Sequence, residues 1–146
     1  MTMDEVIARE CIRDTIARYN MNGDRMRTDA FLACFTEDAV YQSDVFDLHG
    51  RDAIRDWMAG NAGPSDGPRV KFVRHHITTC LIDMDGPDAA DVRTYYHVYT
   101  DTGPDHTGYY VDRFARVGNR WLIAHRKVRT DWARPDSVFI ASHAAK

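Results

Sequence analysis

His75 stands inside an apolar alternation, in the run RHHITTCL from Arg74 to Leu81. An imidazole is the side chain best suited to take and return a proton near neutral pH. Along an extended strand every second side chain shares a face, so Val73, His75, Ile77, Thr79 and Leu81 point one way and Arg74, His76 and Thr78 the other. This parity turns His75 inward and His76 outward. A lone inward histidine is more often a hydrogen-bonded core residue than a catalyst, so its weight depends on other polar groups placed to meet it. Asp24 follows the break that ends the first helix, where it is either a cap or loop acid or a group at a pocket mouth. Tyr19 lies on the buried stripe of that helix. In the last strand Leu122, Ala124, Arg126, Val128 and Thr130 share the more apolar face, and Arg126 is its only charge. Such an arginine needs a carboxylate or a ligand anion, because an unpaired buried charge is strongly unfavourable. His97 shares a face with Arg93, Tyr95 and Tyr99; if that face points inward, His97 lies in the strand beside His75.

The elements that must position these groups follow from the pattern. Ala8, Ile12, Ile16 and Tyr19 recur at helical spacing from Asp4 to about Asn20, and Asn20-Met-Asn-Gly23 ends that helix. Thr28 caps a short second helix through Phe35, with Phe31, Cys34 and Phe35 buried. Ala39 to Ser43 is a short strand and Asp47 to Arg51 a turn. Asp52 caps a third helix that buries Ile54, Trp57 and Met58 and ends near Gly60. Asn61 to Arg69 has no periodicity and two Pro and two Gly, hence a loop that is a lid or a connection. From there the period changes to 2. Strands are expected over Val70 to Met84, Val92 to Thr100, Gly108 to Val117 and Arg120 to Trp132, joined at Asp85-Gly86-Pro87-Asp88, Thr102 to Thr107 and Gly118-Asn119. Helices followed by a meander of long strands give an α+β fold, a curved antiparallel sheet with three N-terminal helices over its concave face. A conical pocket can form between the layers.

The 146 residues, 44% of them hydrophobic and without biased tracts, fit one domain spanning 1–146, with a tail from Ala133 to Lys146 that closes the cone mouth or packs on a neighbour. A net charge of -3 with no Lys/Arg block argues against nucleic acid or an anionic membrane as the main partner. Cys11, Cys34 and Cys80 are far apart, with no CxxC, and read as buried thiols of a reducing, cytoplasmic compartment. No signal peptide or membrane-spanning run is visible. His75-His76 is a poor metal pair because neighbours on a strand face opposite ways, and no HExxH, Walker loop or GxGxxG is present. A metal site and a bound cofactor are therefore not expected. Cys80 falls on the parity opposite His75, which disfavours a Cys-His nucleophile.

The sequence resembles the SnoaL-like members of the nuclear transport factor two-like superfamily, a group that includes scytalone dehydratase, bile acid 7α-dehydratase and lindane dehydrochlorinase. The likeness runs from Asp4 to Pro135 through ARYN, DAFLACFTEDAVY, HGRDAI, RHHITTCLIDMDG and TGYYVDRFARVGNRWLIAHRKV. It implies an α+β barrel of cystatin-like form and a cofactor-independent dehydratase or isomerase acting on a hydrophobic cyclic or polycyclic carbonyl compound. It also implies catalytic roles: His75 as base, Asp24 orienting it, Tyr19 and Arg126 stabilising an enolate, and His97 or Tyr110 protonating a leaving hydroxyl. Tyr110, Tyr95 and Trp57 would line the substrate. Relatives form dimers or trimers, so a homodimer or homotrimer is expected. The same fold hosts non-catalytic proteins, such as the β subunit of ring-hydroxylating dioxygenases, and polyketide cyclases. The sign of a binding or assembly module would be a pocket filled by its own side chains, with Arg126 tied to Asp24 or Asp112 as a structural ion pair, whereas an empty cavity of roughly several hundred Å³ would favour an enzyme.

Overall fold

The structure, a computed structural model, describes residues 1–61 and 70–140. The expected loop, apart from Asn61, and the tail beyond Ile140 lie outside the described residues. Helix α1 (Met3–Gly23) opens on a capping box, in which the Thr2 hydroxyl accepts from the Glu5 N–H and the Glu5 carboxylate accepts from the Thr2 N–H. It buries Ala8, Ile12, Thr15, Ile16 and Tyr19 as the spacing predicts. The helix does not stop at Asn20. That side chain is buried, donating to the Ile16 carbonyl and accepting from the Tyr110 hydroxyl, and the reversal comes later, at Met26, whose φ is +53°. Helix α2 (Thr28–Leu32) is shorter than expected, because Phe35 already begins a strand, and its N-cap is Arg27 rather than Thr28. Helix α3 covers Arg51–Asn61.

Strands β1 (Phe35–Gln42), β2 (Asp47–His49), β3 (Val73–Met84), β4 (Ala89–Thr100), β5 (Gly103–Val117) and β6 (Arg120–Ala133) form one sheet in the order β2-β1-β6-β5-β4-β3. The fold is α+β, as expected, but the sheet is mixed, since β1 runs parallel to β6. The stretch read as a turn at Asp47 is instead a strand antiparallel to β1. The β3–β4 and β5–β6 connections turn through Gly86 (φ +75°) and Gly118 (φ +63°), where only glycine takes the left-handed backbone without strain.

Bulges decide which side chains face the helices. In β3 two residues, Thr78 and Thr79, oppose the single Tyr95 of β4, so the inward set changes parity and runs Val73, His75, Ile77, then Cys80, Ile82, Met84. Thr79 and Leu81 therefore do not share the face of His75, and Cys80 is not opposite it; the Cys80 thiol instead meets the Thr94 hydroxyl. In β6 an extra residue at Ala124 does the same, so Trp121 and Ile123 join Arg126 and Val128 in the core. Strand β4 is regular: Val92, Thr94, Tyr96 and Val98 are buried, and Arg93, Tyr95, His97 and Tyr99 are exposed.

The centre of the core is charged. Arg126 and Asp112 are both fully buried, and the guanidinium donates from Nε to Oδ1 at 2.8 Å and from Nη2 to Oδ2 at 2.6 Å. Its faces are covered by the rings of Tyr19 at 4.1 Å and Tyr110 at 3.9 Å. Burial pushes the Asp112 carboxyl up while Arg126 pulls it back, and the two short parallel bonds are those of an ionised pair. Asp112→Ala, which strands the cation, is expected to cost about 3–5 kcal/mol in chemical denaturation, whereas Asp112→Leu with Arg126→Met recovers most of that loss. Gly108 matters for a different reason. A Cβ there would sit 1.9 Å from the Arg129 carbonyl oxygen and 2.8 Å from the Tyr96 hydroxyl. Gly108→Ala is expected to lower the melting temperature and to break the Tyr96 bond to Arg129, read as a change in tyrosine near-UV dichroism.

Candidate functional site

Strand β3 is an edge strand, paired on one side only, and helix α1 runs along its open side. An unpaired edge leaves backbone groups without partners. Arg9 of α1 donates to the Ile82 carbonyl, and Asp24, the C-cap residue of the same helix, accepts from the His75 N–H at 3.0 Å through Oδ2. The other oxygen of Asp24 lies 2.6 Å from His75 Nδ1. A carboxylate at a helix C-terminus faces the negative end of the helix dipole, costing a few tenths of a kcal/mol, so Asp24 is not there for the helix. It fixes His75.

Both Asp24 oxygens face donors of His75, so in the neutral imidazole Nδ1 carries the hydrogen and Nε2 the lone pair. Among the described residues Nε2 has no hydrogen-bond partner. The Asp24 side chain is 6% exposed and that of His75 is 28% exposed, which shields the carboxylate and leaves the imidazole reachable. An imidazole held this way can accept a proton at Nε2 while the carboxylate steadies the charge that results.

The other residues singled out in the sequence fall in three places. Tyr19, Tyr110 and Arg126 meet one another in the core. The Tyr19 hydroxyl lies 2.7 Å from that of Tyr41, and Arg126 is held by Asp112 rather than by Asp24 or a ligand. This cluster reaches His75 through Tyr96, which stacks on Tyr110 at 4.7 Å and lies 6.1 Å from the His75 ring. Trp57 packs with Tyr41 and Phe46 on the far side of the aromatic core. His97 and Tyr95 belong elsewhere, since β4 turns both to the outer face of the sheet, Tyr95 55% exposed. The expectation that they line the site is corrected by the parity of β4, whose other face packs inward. The outer face carries shallow depressions, one lined by Phe72, His76, His97 and Tyr99, another by Leu81, Tyr95, His97 and Tyr109.

A second histidine does stand by His75. The His106 ring lies 6.4 Å from it and 6.0 Å from Tyr96, with Nδ1 2.6 Å from Asp105. Adjacent strand residues normally face opposite sides, but β5 has an extra residue against β4 at Asp105, and both Asp105 and His106 are buried. The dipeptide was hidden in a segment that reads as a loop. Asp105 also accepts from the Ser137 hydroxyl at 2.7 Å, and its carbonyl accepts from the Arg134 N–H. The tail is thereby docked beside His106, with Phe139 6.1 Å from that ring.

The phenols here are neutral donors: burial raises Tyr19, and raises Tyr96 to about 12. Burial likewise pushes the Cys34 thiol up to about 11, which makes it unreactive. Cys11, Cys34 and Cys80 are free. Among the described residues no cluster of His, Cys, Asp and Glu could hold a metal, and no helix is long and apolar enough to cross a membrane.

Burial lowers the pKa of His106 from 6.5, against the opposing pull of Asp105. Below about pH 6.5 the unfolded chain binds this proton while the folded chain resists it, so stability is lost as pH falls through the folded-state value. The melting temperature is expected to drop from about pH 7 to about pH 5, with a shallower slope in His106→Asn.

The sequence matches the SnoaL-like domain over residues 4–127. No functionally curated protein matches it. Among solved structures, Rv3472 of Mycobacterium tuberculosis, a protein of unknown function, is 29% identical with a TM-score of 0.77, over 97% of this chain and 85% of its own. A provisionally named scytalone dehydratase from Novosphingobium aromaticivorans is 24% identical with a TM-score of 0.79, over 94% and 93% of the two chains. The β subunit of an aromatic-ring-hydroxylating dioxygenase, provisionally named, from the same organism is 22% identical with a TM-score of 0.75, over 92% and 95%. At the last two identities the likeness speaks for the fold alone. With the family match spanning most of its length, the chain belongs to the SnoaL-like domain family.

Proposed function

We propose that the chain is an acid/base enzyme, a dehydratase or isomerase that removes a proton beside a carbonyl group of a hydrophobic cyclic compound using its own side chains. The observation that carries this is the two-point grip of Asp24 on His75, with Nε2 left free. His75 takes the proton, and Asp24 stabilises the imidazolium that forms. The rings of Tyr96 and, behind it, Tyr110 give an apolar wall suited to a cyclic substrate. Membership of the SnoaL-like domain family is in keeping with the same class. Tyr19 and Arg126 act at one remove, by holding the wall, since the Tyr19 hydroxyl meets that of Tyr41 and Nε and Nη2 of Arg126 are bound by Asp112. On a panel of β-hydroxy ketones and hydroxysteroid thioesters, His75→Ala and Asp24→Asn are expected to lose about a hundredfold or more in kcat/KM while staying folded. Wild-type rates in both folded variants would remove the pair from the mechanism.

A second reading, an assembly role, draws on two observations: Arg126 is a structural ion pair with Asp112, and Leu81, Tyr95, Tyr99 and Trp132 are 41–55% exposed. Water-facing sides of antiparallel sheets are usually polar. The two readings are compatible if that outer surface joins copies into a homodimer or homotrimer. Sedimentation is expected to show such a species at micromolar concentration and Tyr95→Asp to dissociate it; a monomeric wild type contradicts the assembly.

A further inference from the structure

Resting on that reading of His75, we propose that His106 is a second catalytic imidazole of the same site. The two rings act on one substrate as acid and base and remove water from a β-hydroxy carbonyl compound. The two histidines are built alike. Each has Nδ1 2.6 Å from a carboxylate, Asp24 for His75 and Asp105 for His106, and so each offers only Nε2 to anything else. Their rings are 6.4 Å apart and nearly perpendicular, and Tyr96 borders both, at 6.1 and 6.0 Å. With the ring centroids this close, two neighbouring atoms of one small substrate can each lie against a different imidazole. The buried side-chain atoms without a partner are Arg9 Nε and Arg126 Nη1 among the described residues; neither imidazole Nε2 is sealed off in that way.

The bulge at Asp105 strengthens the case. A structural histidine needs no carboxylate beside it on the same strand, whereas this strand is distorted to turn two consecutive polar residues inward. The groups facing His106 are His75 from β3 with Asp24 behind it, Tyr96 from β4, Asp105 from β5, and Ser137 and Phe139 from the tail. A second positive charge so near the first is unfavourable, so the pair carries at most one added proton, and the active form is the one in which His106 holds it and His75 is neutral. The neutral ring takes the proton from the carbon beside the carbonyl. The freed electron pair forms the carbon–carbon double bond, the bond from the β carbon to the hydroxyl breaks, and the protonated ring gives its proton to the leaving oxygen, which departs as water. The pair still holds one proton, now on the other ring, and exchange with solvent resets it.

The test follows α-proton exchange and water loss separately, with 3-hydroxycyclohexanone and the larger β-hydroxy ketones of the panel in deuterated buffer. In His106→Asn, exchange at the α carbon persists while water loss falls about a hundredfold or more; His75→Asn loses both. Ser137→Ala loosens the tail but keeps the imidazole, and it keeps the ratio of the two rates. Equal loss of both processes in His106→Asn marks a structural residue and overturns the proposal, as does water loss at the wild-type rate. A substrate-free arm uses the nitrogen NMR titration of labelled histidines. His75→Asn raises the pH at which His106 titrates, because it removes the charge that opposes protonation there; an unchanged His106 titration overturns the proposal. If His75→Asn exchanges and dehydrates like wild type, the acid/base reading of His75 fails first and takes this one with it.

Discussion

One carboxylate joins the helical layer to the sheet at the point where chemistry can occur. Asp24 caps the end of α1 and satisfies an edge-strand N–H of β3, and with its second oxygen it sets the tautomer of the histidine on that residue. The three tasks reinforce one another. Because the backbone bond fixes where His75 sits, the ring bond can be short without the side chain having to search for it. The cost of placing an acid at the wrong end of a helix is small, and the two bonds from His75 offset it.

Behind this contact lies a core that is rigid rather than hollow where Arg126 stands. The guanidinium is bound at its edge by Asp112 and on its faces by Tyr19 and Tyr110, so it anchors aromatic rings whose last member, Tyr96, touches both imidazoles. A buried ion pair of this kind adds little net stability compared with apolar residues of the same shape, but it is very sensitive to loss of one partner. Its value to the site is positional: it fixes the rings that border the two imidazoles.

Much of this was legible in the sequence. Apolar periodicity marked the helices and the long strands, and the inward orientation of His75 and Arg126 followed from parity. What parity could not show was where it changes. The extra residues at Thr78–Thr79, Asp105 and Ala124 each reverse the inward set locally, and nothing in the side chains of those segments announces a bulge. Asp105-His106 was missed for that reason, and Cys80 was placed on the wrong side. Strand β4 failed differently: both its faces mix tyrosine with polar residues, Thr94 on one and Arg93 and His97 on the other, so His97 and Tyr95 could be put inside only by choice, and packing chose Tyr96 instead. The partner of Arg126 was also undetermined, because acids from several elements could reach it.

The central claim is that Asp24 holds His75 with its hydrogen on Nδ1 and its lone pair on Nε2. A long-range proton–nitrogen correlation spectrum of histidine-labelled protein, recorded above the titration of His75, tests it directly. The account predicts a protonated Nδ1 and an unprotonated Nε2 for His75, with the preference lost in Asp24→Asn. A His75 ring protonated at Nε2 in the wild type, or one indifferent to the Asp24 substitution, contradicts it.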